Sequence, residues 1–123
     1  MDNEQDASSG PAGPSGRPEL LPFCTGNWVG HWEQAGRAFA TALRLEFRDN
    51  GTLYGAGQDG AGTFTLCGEY DPNCGFMTIK KLYGNGVRID MEGTYVRANP
   101  PTIGGTWYGK RVAPGMFFLQ LAQ

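Results

Sequence analysis

Hydrophobic residues recur at every second position through most of the chain after Pro22. The clearest stretch is 39–48, where apolar and mostly polar residues alternate, as a strand with one buried face requires. The same alternation recurs at 64–70 and at 87–95. The positions predicted to face inward in these three stretches are Phe39, Thr41, Leu43, Leu45, Phe47, Phe64, Leu66, Gly68, Tyr70, Val87, Ile89, Met91, Gly93 and Tyr95.

Turn signals separate the alternating stretches at short intervals. Asp49-Asn50-Gly51 is a strong hairpin signal, because Asn-Gly tolerates positive φ. Asp71-Pro72-Asn73 and Gly84-Asn85-Gly86 mark two further turns. We therefore predict eight strands, which lie at about 26–33, 39–48, 52–57, 64–70, 76–83, 87–95, 102–110 and 116–121.

Short connections force consecutive strands to pair as antiparallel neighbours, since a parallel crossover needs a dozen residues or more. Eight such strands can close into a barrel and so remove their exposed edges. The chain is predicted to be all-β, with a single eight-stranded antiparallel up-and-down β-barrel at 23–123. Residues 1–22 are rich in Pro, Gly and Ser and are predicted to be a disordered tail. An open sandwich has the same periodicity and stays as the alternative.

Charge and hydropathy argue against nucleic-acid and membrane partners. The chain has 10 basic and 12 acidic residues, without the basic excess that is typical of nucleic-acid binding. No apolar run approaches the ~18 residues that a membrane helix needs. The stretch Met1 to Gly16 is acidic and polar, unlike a secretory signal peptide, so we expect a cytoplasmic protein.

The cysteines favour neither a disulfide framework nor a metal site. Cys24, Cys67 and Cys74 are odd in number, and no CxxC pair accompanies the single histidine, His31. Cys67 and Cys74 flank a predicted turn and could face each other across a hairpin, but in a reducing cytosol they would stay thiols. We expect no metal and no cofactor.

The first strand opens with Gly26-Asn27-Trp28, which resembles the G-x-W motif of the calycin superfamily of lipocalins, fatty-acid-binding proteins and avidins. The resemblance implies that Trp28 closes one barrel end and that Lys110 or Arg111 packs over it. Other stretches are more similar to the avidin and streptavidin group; these are 51–55, 66–71, 93–96 and the pair Ile103 and Trp107.

The residues that bind biotin in that group are mostly not present here. Trp107 alone matches a ligand-contacting aromatic residue, whereas Gly30, Gly57, Lys80 and Val87 stand near positions where the group places polar or aromatic ligand contacts. A buried ureido group without hydrogen-bond partners costs free energy. The resemblance therefore implies the avidin-like or lipocalin-like fold without biotin binding.

Aromatic residues on the predicted inner face are typical of a small-molecule pocket, and the alternative is that they fill the barrel as core. Lys80 and Lys81 are adjacent, so one of them faces inward if the alternation holds. An inward lysine could anchor an anionic ligand, or it could lie at a bulge or at the rim. The predicted ligand-binding residues are Trp28, Trp32, Tyr54, Tyr70, Lys80, Trp107 and Phe118.

Catalytic patterns are weak. His31 and Glu33 share one strand face without a paired nucleophile, and Asp90 and Glu92 are typical of a solvated outer face. Asp59 is interpreted as a turn residue.

We expect a non-enzymatic binding module that holds a small, partly apolar ligand in the barrel mouth and that could form a homo-oligomer. The alternative is a structural or protein-interaction barrel with a filled core and no small-molecule ligand.

Overall fold

The computed structural model describes residues 23–122, and these form a closed barrel of eight antiparallel strands without helices. Each strand pairs with its neighbours in the chain, and the first strand pairs with the last to close the barrel. The strands are β1 Gly26–Gln34, β2 Arg37–Phe47, β3 Thr52–Asp59, β4 Gly62–Tyr70, β5 Phe76–Tyr83, β6 Arg88–Val96, β7 Thr102–Gly109 and β8 Gly115–Leu121.

The predicted all-β up-and-down barrel is confirmed, and the open sandwich is excluded by the pairing of β1 with β8. The predicted strand positions agree with the observed ones to within one or two residues at either end. The predicted disordered tail, 1–22, lies outside the described residues.

The inner face of the barrel follows the predicted alternation. Leu43 and Leu45 of β2 and Phe64 and Leu66 of β4 are buried, while the residues between them are exposed. Val87 is an exception, because it lies in the turn before β6 and is exposed. The buried apolar residues are Trp28, Leu43, Leu45, Leu53, Phe64, Leu66, Met77, Ile79, Tyr83, Met91, Tyr95, Ile103, Trp107, Phe117 and Leu119.

One end of the barrel, which we call the closed end, is sealed by aromatic rings. Phe23 precedes β1, and its ring centroid lies 4.6 Å from those of Tyr70 and Tyr95. Trp28 is fully buried beneath this layer, and its Nε1 donates a hydrogen bond to the carbonyl oxygen of Cys24 at 3.1 Å. Burial raises the pKa of the Tyr95 hydroxyl to about 12. The short segment before β1 is thereby tied over the barrel.

The implied contact between Trp28 and a basic residue near the last strand is wrong. Trp28 is opposite Leu121 at the closed end, whereas Lys110 and Arg111 follow β7 at the other end of the barrel. Neither basic side chain can reach Trp28 because the length of the barrel separates them. The closing layer at this end is built from aromatic residues.

Candidate ligand-binding site

The opposite end of the barrel is open, and we call this end the mouth. It is bounded by the turns at 35–36, 60–61, 84–87 and 110–114. A cavity of about 710 Å³ lies there. Its inward-facing lining includes Trp32, Lys81, Tyr83, Ile89, Met91 and Trp107, and its rim includes the charged residues Arg88, Asp90 and Lys110.

Two tryptophans form a fixed apolar wall of the mouth. The rings of Trp32 and Trp107 meet edge to face, with centroids 5.7 Å apart. Nε1 of Trp107 donates a hydrogen bond to the carbonyl oxygen of Glu33 at 2.9 Å. A Cβ atom at Gly115 would lie 2.4 Å from that nitrogen, so the glycine leaves the space that the indole occupies. Trp32 also stacks on Phe39 at 4.5 Å.

A buried ion pair lies at the base of the mouth. Nζ of Lys81 on β5 is 2.9 Å from Oδ2 of Asp59 at the end of β3, and the two side chains are 8% and 0% exposed. The hydroxyl of Tyr83 donates a hydrogen bond to the same Oδ2 atom at 2.7 Å. The backbone N–H of Ala61 donates to Oδ1 at 2.9 Å. We call Asp59, Lys81 and Tyr83 the Asp59 cluster.

The protonation states of the Asp59 cluster follow from these contacts. Burial acts to raise the pKa of Asp59, but hydrogen bonds from Tyr83, Lys81 and Ala61 outweigh it and hold the pKa below its ordinary value of 3.8. Burial lowers the pKa of Lys81, although its contact with Asp59 opposes this shift. Burial and the Asp59 carboxylate together raise the pKa of Tyr83. At neutral pH Asp59 is therefore ionised and Tyr83 keeps its proton.

Acid is expected to destabilise the protein through Asp59. Because its pKa is depressed on folding, its contribution to stability is complete above the unfolded value of 3.8 and is lost as the pH falls through the folded value. Thermal unfolding measured between about pH 6 and pH 2 should show this loss. The double variant Asp59→Leu/Lys81→Met is the control, and its melting temperature should fall less steeply. Parallel curves for the two proteins would contradict the prediction.

The charge of Lys81 is satisfied within the protein. Besides the Asp59 carboxylate, aromatic rings surround its ammonium group, with the centroids of Phe64, Tyr83 and Trp32 at 4.2, 4.8 and 5.9 Å from Nζ. Ring faces are negative and attract a cation. Lys81 is thus enclosed by one carboxylate and three rings.

A small void of about 20 Å³ lies below the mouth. Trp32, Thr41 and Lys81 are among the residues that line this void. Over residues 23–122, Nε1 of Trp32 and Oγ1 of Thr41 are the buried side-chain polar atoms that lack a hydrogen-bond partner. Buried apolar side chains thus occupy the interior around this void, and the barrel is open at one end.

The structure places the seven predicted ligand-binding residues in three different regions. Trp32 and Trp107 lie together at the mouth. Trp28 and Tyr70 face inward, but at the closed end. Outer-face positions hold the remaining three residues, which are Tyr54, Lys80 and Phe118.

The side chains of these three residues point away from the barrel interior, and the strand alternation explains why. On β5 Met77 and Ile79 are buried, so the next inward residue is Lys81 and Lys80 faces solvent. By the same rule the neighbours of Tyr54 and Phe118 take the inward positions.

The sequence interpretation missed Asp59 and Tyr83 as site residues. Asp59 was expected in a turn, but β3 continues through it, and its side chain lies on the same face as Gly55 and Gly57. If the two-residue period of β3 is extended one step beyond Gly57, it places Asp59 on the inward face. The same extension on β5 leads from Ile79 to Lys81 and then to Tyr83.

The outer face carries the expected polar pairs. Nε2 of His31 lies 3.3 Å from Glu33, and Arg88 lies 3.1 Å from Asp90, with all four side chains at least 40% exposed. The three cysteines are free thiols.

Cys67 and Cys74 do not face each other across the hairpin. Cys67 is opposite Lys80, and Cys74 lies in the turn that follows β4. Within residues 23–122 no group of three or more His, Cys, Asp or Glu side chains could hold a metal ion. None of these residues belongs to a helix that could cross a membrane.

Comparison with known proteins adds no relative. No protein-family model matches the chain, and searches of curated proteins and of solved structures find no match. We therefore infer function from the geometry of the mouth.

Proposed function

We propose that this protein is a non-enzymatic binding module that holds a small, partly apolar ligand in the mouth of the barrel. The observation that supports this most directly is the joining of a tryptophan wall to a buried polar cluster in one open cavity of about 710 Å³. Ligand pockets are typically of about 300–1,000 Å³, apolar, with a few fixed polar groups.

The chemistry of the mouth supports binding better than catalysis. The residues that line it include no serine, cysteine or histidine, which are the usual nucleophiles and bases. The Asp59 carboxylate, which contacts the lining residues Lys81 and Tyr83, is held ionised by them, and Asp90 at the rim is paired with Arg88. A general acid or base needs a pKa near the working pH, and the shift of Asp59 runs the other way.

The fold is compatible with this proposal. A closed eight-stranded up-and-down barrel has room for one small ligand, as in lipocalins and streptavidin. With the Gly26-Asn27-Trp28 opening, it supports a calycin-like assignment, either avidin-like or lipocalin-like. The three free thiols suit a reducing cytoplasm. A filled barrel that serves only as an interaction domain has less support, because the mouth is open.

The neutral fluorescent probe N-phenyl-naphthylamine tests the proposal. It should bind in the mouth and gain fluorescence. Ile89→Trp should weaken this binding at least tenfold, because Ile89 lines the mouth and the larger ring would fill it. The matched control is Leu82→Trp, which places the same ring on the outer face, where Leu82 is 50% exposed. Titration of the three proteins measures the dissociation constants.

Absence of probe binding by the unmodified protein would count against the proposal, and so would equal binding by both tryptophan variants. Native mass spectrometry of protein purified from its source adds an independent measurement. A bound small molecule that is lost in the Ile89→Trp variant would support the mouth as the site.

A further inference from the structure

We propose that the mouth selects neutral ligands that carry a carbonyl oxygen, and that Trp32 and Thr41 bind this oxygen at its base. This inference rests on the proposed function and adds the chemical class of the ligand. It is carried by the charge balance of the Asp59 cluster and by two buried polar atoms beside a void of one-atom size.

The charge balance at the base of the mouth favours a neutral group there, whereas Arg88 and Lys110 line the cavity at its rim. Lys81 is compensated by Asp59 at 2.9 Å and by the faces of Phe64 and Tyr83. An anion would have to compete with the Asp59 carboxylate for the same ammonium group, and its charge would stay uncompensated in a buried position. A cation would lie next to the Lys81 ammonium group, and the Asp59 carboxylate that could attract it is already paired with Lys81.

The type of polar atom favours an acceptor on the ligand. Nε1 of Trp32 can only donate a hydrogen bond, and the hydroxyl of Thr41 can donate a second one. Neither atom has a partner within the described part of the chain, and both residues line the void of about 20 Å³. A void of this size has room for one water-sized group. A carbonyl oxygen fits both its volume and its donors.

The strand register brings these groups together on one side of the barrel. Thr41 on β2 is opposite Gly30 on β1 and opposite Asp59 on β3. Trp32 is the next inward residue after Gly30, and Lys81 reaches Asp59 from β5. The void lies below the mouth, and Trp32, Lys81 and Met91 line both spaces. A bicyclic ligand in the mouth can place one oxygen there while its rings contact Trp32 and Trp107.

Four bicyclic probes of similar size test the ligand class on the unmodified protein. They are the ketone α-tetralone, the hydrocarbon tetralin, the naphthoate anion and the naphthylmethylammonium cation. Isothermal titration calorimetry should rank α-tetralone first, at least tenfold tighter than tetralin, with both ions weaker than α-tetralone. The free energy of one hydrogen bond to a buried donor corresponds to a ratio of dissociation constants of about ten.

Two variants locate the oxygen. Trp32→Phe removes the indole N–H and keeps an aromatic ring, and Thr41→Val removes the hydroxyl and keeps the branched shape. Each should reduce the preference for α-tetralone over tetralin by about threefold or more. The matched control is Thr65→Val on the exposed face of β4, which should leave the preference unchanged. The indole N–H signal of Trp32 should move on addition of α-tetralone, in nitrogen–proton NMR spectra of the unmodified protein.

The outcomes separate this inference from the proposed function. If tetralin or either ion binds as tightly as α-tetralone, the preference for a neutral carbonyl ligand is wrong while the mouth remains a binding site. The same holds if N-phenyl-naphthylamine binds and α-tetralone does not, or if the preference survives in both variants. If none of the probes binds, the proposed function itself is wrong, and this inference is wrong with it.

Discussion

Replacing Asp59 by Leu is expected to lower the free energy of unfolding by about 3–5 kcal/mol, the typical cost of removing one partner of a buried ion pair. The Asp59 side chain is fully buried and accepts hydrogen bonds from Lys81, Tyr83 and the N–H of Ala61. Its loss leaves the Lys81 ammonium group, which is only 8% exposed, without a compensating charge. It also leaves the Tyr83 hydroxyl without its acceptor.

The loss of stability in Asp59→Leu should come from the uncompensated charge of Lys81. Removing both charges should therefore restore most of the stability. The double variant Asp59→Leu/Lys81→Met should unfold within about 1–2 kcal/mol of the unmodified protein, because apolar groups replace the pair. The surface pair Arg88 and Asp90 is the control, with both side chains more than half exposed. Asp90→Leu should change stability by less than about 1 kcal/mol.

Urea denaturation followed by circular dichroism measures all four proteins. If the single and double variants at the Asp59 cluster were equally unstable, the ion pair would not be the cause. A loss at Asp59 as small as that at Asp90 would show that the cluster is more hydrated than its burial indicates.

The barrel could be predicted from sequence because every strand is half-buried. In such a strand the hydrophobic period directly reports which side chains face the core. Leu43 and Leu45 show this on β2, as do Phe64 and Leu66 on β4. The Asn-Gly turn at Gly51 then fixed a tight connection between β2 and β3. Local information of this kind specifies neighbours, and sequential pairing of neighbours specifies an up-and-down barrel.

The site was harder to predict because its polar groups interrupt the same pattern. Two adjacent lysines give no hydrophobic signal, so hydrophobicity alone could not decide between Lys80 and Lys81. The contact between Asp59 and Lys81 crosses β4 and spans 22 residues of sequence. It depends on the curvature of the closed barrel, which no local spacing reports. Trp32 and Trp107 could be placed at inward positions because both follow the two-residue period of their strands.

Closure of a barrel this narrow also depends on positions where two strands nearly touch. Gly105 on β7 is opposite Gly93 on β6. A Cβ atom at Gly105 would lie 1.9 Å from the carbonyl oxygen of Glu92 and 2.6 Å from the Cα of Gly93. Both contacts are with backbone atoms, so no side-chain rotation can relieve them. The two strands would have to separate, and the hydrogen bonds between them would lengthen.

Gly105→Ala is therefore expected to lower the free energy of unfolding by about 3 kcal/mol or more, at the upper end of the cost of overpacking a core. Its neighbour provides a matched control, since the atom nearest to a Cβ at Gly104 would be the carbonyl oxygen of Phe117, at 3.9 Å. Gly104→Ala should leave stability unchanged or raise it by up to about 1 kcal/mol, because alanine restricts the unfolded chain. Urea denaturation of the two variants makes the comparison. Equal stabilities would mean that β6 and β7 separate without cost, and close packing of these two strands would then not be what holds the barrel shut.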